Sequence, residues 1–513
     1  MIKNIKWIVF ASIVVTACSY DDGIPAPEAE LPPIVAGEAD FSRYVALGNS
    51  LTAGFSDNAL FIEGQRNSFT KLMADQFAFA GGGEFRIPFM NDNVGGMLLG
   101  GTPILGPRLI FNGSGPAPLP GGVPTTDVTN ILTGPFNNMG VPGAKSFHLA
   151  AQGYGSLAVL AQGGPANPYF VRFASSPNAS VIGDAVAQNP TFFSLWIGNN
   201  DVLSFATSGG VGQNQLGNLN PATYGGNDIT DPNVFASVYQ GLVDALTNNG
   251  AKGVLVNIPY VNSIPFLTTI PHNPIPMDAA TAQQLNTSLL GPLKQVLTLL
   301  GQGDRLELLV AGPNNPLLLK DESLTDFGPQ ITAALTAAGI PAQQAAFLGQ
   351  TYGQARHARR TSDFRDFIPL TTQAVIGASN APAPAPFNVF GVTFPLQDQH
   401  VLTNDEVGMV KTATDAYNQT IQSIAQAKNL VYVDVNSILN QIAAGGLTTG
   451  GFTFKSDLVF GNTFSMDGVH LSARANAFLA NTFLEAINTK YGSTFRKYDL
   501  GAFPVLYGIN LPN

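Results

Sequence analysis

The sequence predicts an α/β protein built on a doubly wound parallel sheet with long insertions. Short apolar runs of strand length recur at 44–47, 191–197, 253–258, 306–310 and 430–435. Runs that are apolar throughout, and are bounded by turn residues, belong to strands buried on both faces. Helical periodicity fills the spaces between them. Thr403-Asn404-Asp405-Glu406 reads as a capping box, and Val407, Val410, Tyr417, Ile421 and Ile424 then fall on one helical face. That helix stops just before the run at 430–435, which makes one α-to-β step of the sheet. A second helix is expected from about Ser472, carrying Phe478, Leu479, Phe483 and Ile487 inward.

Between these elements lie stretches that no minimal α/β unit needs. Residues 81–135, 204–232 and 311–399 are rich in Gly, Pro or Asn, or lack periodicity, and are read as insertions. No internal repeat is visible, so one large domain over 41–513 is expected. The first insertion mixes Gly with Leu, Phe and Met, a composition suited to an apolar wall beside a site. Arg356, His357, Arg359, Arg360 and Arg365 form a basic cluster, which reads as a solvated face.

Composition narrows the function classes. The 513 residues are 45% hydrophobic, enough for a large core, and the formal charge of −10 argues against nucleic acid, which is held by Lys and Arg on phosphates. The one cysteine, Cys18, leaves no thiol for a disulfide or a thiolate metal site. Lys3 and Lys6 precede an apolar stretch over 7–15, which suits a signal peptide at 1–17. Val15-Thr16-Ala17-Cys18 resembles a bacterial lipobox, with Cys18 as the lipidated first residue of the mature chain. An acidic, Pro-rich tether would then follow over 18–40. The expectation is a secreted bacterial lipoprotein on the outer membrane or cell surface, meeting the membrane through its N-terminal lipid.

Four separated blocks carry groups that acyl transfer needs. Gly48-Asn49-Ser50-Leu51 places a serine directly after an apolar run, and Asp467-Gly468-Val469-His470 spaces an acid and a base to share one turn. A serine hydroxyl needs such a base, and the base needs a carboxylate to fix its tautomer. Asn138-Met139-Gly140 and Gly198-Asn199-Asn200-Asp201 offer donors for a developing oxyanion through the Gly140 amide and the Asn200 side chain, with the Ser50 amide as a third. The other histidines, His148, His272, His357 and His400, show no metal-ligand spacing, so neither metal nor cofactor is expected.

Taken together, the four blocks resemble the GDSL/SGNH hydrolase family. The resemblance implies a flavodoxin-like sheet, with Ser50 as nucleophile, His470 as base, Asp467 as its partner, and Gly140 and Asn200 as oxyanion donors. Asn49 stands where the family usually has Asp. The substrate implied is a carboxylic ester, of a lipid or of an acylated glycan. A lipoprotein that binds lipid or glycan without turnover is the alternative.

Overall fold

The computed structural model describes residues 33–512, so the expected signal peptide, Cys18 and the tether up to residue 32 lie outside the described residues. The central sheet is parallel and has five strands: β1 (Tyr44–Gly48), β2 (Asn138–Gly140), β3 (Phe192–Trp196), β4 (Lys252–Val256) and β5 (Val431–Val433). Their spatial order is β5-β4-β3-β1-β2. β1 and β3 are buried along their whole length, which is why they read as unbroken apolar runs.

Four of the five expected strands lie in this sheet, and the run at 306–310 does not. Leu306 and Leu309 are buried instead in a separate apolar cluster with Leu293, Ile331 and Tyr352. The missing place is taken by Asn138–Gly140, paired with β1 through Ala46↔Asn138, Leu47↔Met139 and Gly48↔Gly140. An edge strand of three residues, one of them Asn, carries no hydrophobic pattern to detect. At the chain start, residues 33–40 are docked and not a free tether: the Val35 amide donates to Thr494 Oγ1 at 2.9 Å and the Glu38 amide to the Tyr491 carbonyl at 2.8 Å.

Helices cover the sheet. α1 (Ser50–Ala53) and α2 (Phe69–Ala78) follow β1, α3 (Asn200–Thr207) and α4 (Pro232–Thr247) follow β3, α5 (Asn404–Ala427) precedes β5, and α6 (Val435–Gly445) and α7 (Ala473–Tyr491) follow it. Phe69 of α2 packs edge-on against Trp196 of β3 and Phe483 of α7, whereas Phe235 of α4 stacks on Tyr417 of α5 with ring centroids 4.2 Å apart. α5 starts with the expected capping box of Thr403 and Glu406. Glu406 accepts from the Thr403 amide at 2.7 Å, and the Thr403 hydroxyl also donates to the same carboxylate at 2.8 Å. The helix expected from about Ser472 starts at Ala473, and Ser472 caps it by accepting from the Ala475 amide at 3.1 Å.

The insertions have structure of their own. Residues 81–135 form two short hairpins, Met97–Leu99 with Thr102–Leu105 and Leu109–Phe111 with Pro116–Pro118. α3 extends to Thr207, into the segment expected to be insertion from 204. The insertion between β4 and α5 carries two apolar clusters, one around Leu293 and Tyr352 and one around Leu317 and Ile368. Within it Arg356 is buried, contrary to the expected solvated face, because two carboxylates meet it there: Nε donates to Asp321 at 2.6 Å and both terminal nitrogens donate to Asp366. Among the described residues no helix is long and apolar enough to cross a membrane.

Candidate active site

The carboxyl ends of β1, β2 and β3 and the loop before α7 bring the four blocks together. In open parallel sheets this edge is where chain crossings leave a crevice. Ser50 is the first residue of α1, which starts with no break after β1. Its N-cap, Asn49, accepts from the Leu51 amide at 3.0 Å and donates through Nδ2 to Asn199 Oδ1 at 2.9 Å. That second bond needs an amide. Asn49 and Asn199 thus form a side-chain amide pair, and with an aspartate at position 49 the Asn199 amide would have to turn over to present its NH₂.

Ser50 Oγ lies 2.8 Å from His470 Nε2, and His470 Nδ1 lies 2.8 Å from Asp467 Oδ2. Four more donors fix the carboxylate. Asp467 Oδ1 accepts from the amides of Val469 at 2.9 Å and His470 at 2.8 Å and from the Ser465 hydroxyl at 3.1 Å, while Oδ2 accepts from the Asn58 amide at 2.9 Å. Burial alone would raise the carboxyl pKa. His470 and the surrounding amides outweigh burial and hold Asp467 well below the usual carboxylate range.

One residue at this site carries no sequence signal. Asp57, buried, lies behind Asp467: its amide donates to Ser465 Oγ at 2.9 Å, and its own carboxylate accepts from the Met466 amide at 3.0 Å. Asp57 and Asn58 both lie in the left-handed region, with φ of 51° and 62°, which their short polar side chains tolerate better than most. The first insertion supports them from outside, since the Leu109 amide donates to the Asp57 carbonyl at 2.7 Å. Burial, with a contribution from Asp467, raises Asp57 to about 7 despite the Met466 amide. Ser56-Asp57-Asn58 reads in sequence as an ordinary polar turn. Nothing local tells which distant loop it holds.

The oxyanion donors sort differently from expectation. Gly140 lies inside β2 and its amide is committed to Asn138 Oδ1 at 2.9 Å. The glycine is required there for packing, because a Cβ would run into the Ala53 amide of α1. Three residues on, Gly143 has φ of 81° and its N–H has no partner among the described residues. Asn200 Nδ2 donates to the Ala144 carbonyl at 2.9 Å, so Asn200 is tied to the Gly143 loop and keeps one amide hydrogen for another acceptor. Asp201 fixes the same loop by accepting from the Ser146 amide at 2.8 Å and its hydroxyl at 2.7 Å. Burial raises the Asp201 pKa. The Ser50 amide, at the first turn of α1, is likewise without a partner among the described residues.

A pocket of about 100 Å³ is lined in part by Ser50, His470 and Asn200. It runs inward between the sheet and helices α6 and α7. None of residues 81–135 lines it, so the first insertion is a brace for the Asp57 segment and not the expected wall. Among the described residues no group of His, Cys, Asp or Glu is arranged to hold a metal ion.

Fold and site together define an α/β protein whose parallel sheet carries a hydrogen-bonded serine, histidine and aspartate at its carboxyl edge. Comparison of the chain with protein-family models, curated proteins and solved structures gives no match.

Proposed function

We propose that the protein is a serine hydrolase that cleaves carboxylic esters through an acyl-enzyme. The observation that carries this reading is the continuous chain from Ser50 Oγ through His470 to Asp467, both links 2.8 Å long. His470 Nε2 takes the Ser50 proton as Oγ attacks the ester carbonyl, and ionised Asp467 stabilises the imidazolium. When the tetrahedral intermediate collapses, the C–O bond to the alcohol breaks and His470 returns the proton to the leaving oxygen. Water then repeats the attack on the acyl-enzyme, with His470 again as base, and releases the acid. The amides of Ser50 and Gly143 and the second Nδ2 hydrogen of Asn200 hold the oxyanion.

The likeness of the four sequence blocks to GDSL/SGNH hydrolases supports the same reading, and we assign the sheet to their flavodoxin-like architecture on that ground. The test is reaction with a fluorophosphonate, which labels only an activated serine. Labelling of Ser50 in the wild type, its loss in Ser50→Ala, and a fall of about 10⁴ or more in ester turnover in that variant are expected. Undiminished turnover by a folded Ser50→Ala protein removes Ser50 as nucleophile.

The address is part of the proposal. Lipidation of Cys18 would hold the enzyme at a bacterial outer membrane or cell surface, and Cys18→Ser should move it from the membrane to the soluble fraction. Persistent membrane association of that variant would assign attachment to another surface.

A further inference from the structure

We infer that the ester acyl group is a fatty chain of medium length or longer, bound in the pocket beneath Ser50, an inference that rests on the hydrolase reading above. The pocket's polar lining is confined to Asn49, Ser50, Asn199, Asn200, Thr463 and His470, and the rest of its wall is apolar but for the Trp196 indole N–H. The apolar wall comes from one face of α6, where Val435, Ile438, Leu439 and Ile442 follow i, i+3, i+4, i+7 spacing, and from Phe478 and Leu479 of α7. Trp196 of β3 contributes its ring, while its indole N–H is already donated to the Asn257 carbonyl at 3.1 Å.

A sugar placed there would bury hydroxyls with almost nothing to bond. An acyl chain would need no partners. Size leads to the same conclusion, since a single water needs roughly 10–15 Å³ of such a cavity, and the pocket offers about 100 Å³, several times what an acetyl methyl takes up. Because Ser50 and His470 line the same pocket as the apolar side chains, a chain lying along that wall can present its carbonyl carbon to the nucleophile. The occupant is therefore the acyl half of the ester.

The experiment is a series of p-nitrophenyl esters from acetate to laurate with the wild-type protein and with Ile438→Trp and Ile438→Ala, each normalised to its own acetate rate. Fluorophosphonate labelling of Ser50 is followed in parallel. In the wild type kcat/KM should rise by up to about fourfold per methylene over the first several carbons. Ile438→Trp should move the maximum to shorter chains and Ile438→Ala to longer ones. Competitive inhibition of the wild type by free fatty acids should tighten along the same series, a reading that needs no variant to fold.

A labelled, acetate-cleaving enzyme whose rate falls steadily with chain length, or that prefers acetylated sugars, would overturn the acyl pocket and leave the hydrolase reading standing. Absence of both labelling and cleavage at every chain length would overturn the two together.

Discussion

Two buried carboxylates meet the same loop and have opposite electrostatics. Asp467 receives hydrogen bonds from three backbone amides, a hydroxyl and the imidazole, and its pKa is driven down even though it is largely enclosed. Asp57 has one amide on its carboxylate and the Asp467 charge nearby, and its pKa rises to about 7. Burial is common to both. What differs is the imidazole bonded directly to Asp467, whose positive charge and hydrogen bond, joined by the backbone amides, favour the charged form, whereas Asp57 has a neighbouring negative charge and a single amide.

The largest effect expected from breaking this contrast is at Asp467. Asp467→Asn should lower kcat by about 10⁴, because an amide in that place no longer stabilises the imidazolium and favours the wrong tautomer. It should also lower stability at neutral pH. A carboxylate with a depressed folded pKa contributes stability above its unfolded value, near 3.8, and that contribution is lost as the pH falls, so the wild-type advantage in Tm should shrink in acid. A kcat for Asp467→Asn within tenfold of wild type would mean that the carboxylate is not the partner of the base.

Asn200→Ala comes next. Removal of one oxyanion donor should cost about 10²–10³ in kcat with a smaller change in KM. Loss confined to KM would make Asn200 a substrate contact, leaving the amides of Ser50 and Gly143 as the hole.

Asp57→Asn should act mainly on stability, and with the opposite sign to Asp467→Asn. With a raised folded pKa, Asp57 favours the folded state fully below about 3.8, and this advantage is lost as the pH rises through about 7. The neutral variant should therefore gain Tm relative to wild type as the pH rises between pH 5 and pH 8, by at most about 3 kcal/mol in stability. A constant difference in Tm across that range would place the Asp57 pKa elsewhere. The smallest effect belongs to Ser465→Ala, which removes the hydroxyl shared by the Asp57 amide and the Asp467 carboxylate. About 1 kcal/mol of stability and a modest fall in kcat are expected. A kcat unchanged in that variant would show that the remaining donors suffice to orient Asp467.

The legible parts of the molecule were those with a local physical signature. Strands buried on both faces read as apolar runs, which is how 44–47, 191–197, 253–258 and 430–435 were found. The same rule misassigned 306–310, because a short apolar run fits any buried segment, whether or not it pairs in the sheet. Gly140 shows the limit for site residues. Its motif was visible, but the amide that the motif offered is already bonded to Asn138, two residues away, and the free one belongs to Gly143.

The sequence by itself determined the α/β class, most of the sheet, the caps of α5 and α7, and the serine, acid and base that meet at one edge. These rest on periodicity, capping chemistry and fixed short spacings, all of which act over a few residues. Tertiary structure alone decided that Asp57 props the loop of Asp467, that Asn49 pairs with Asn199, that the first insertion braces the site from outside, and that α6 and α7 enclose the pocket. Each of those depends on groups brought together from distant parts of the chain. Hydrogen bonds and burial at such distances are properties of the folded arrangement, and no window of sequence contains both partners.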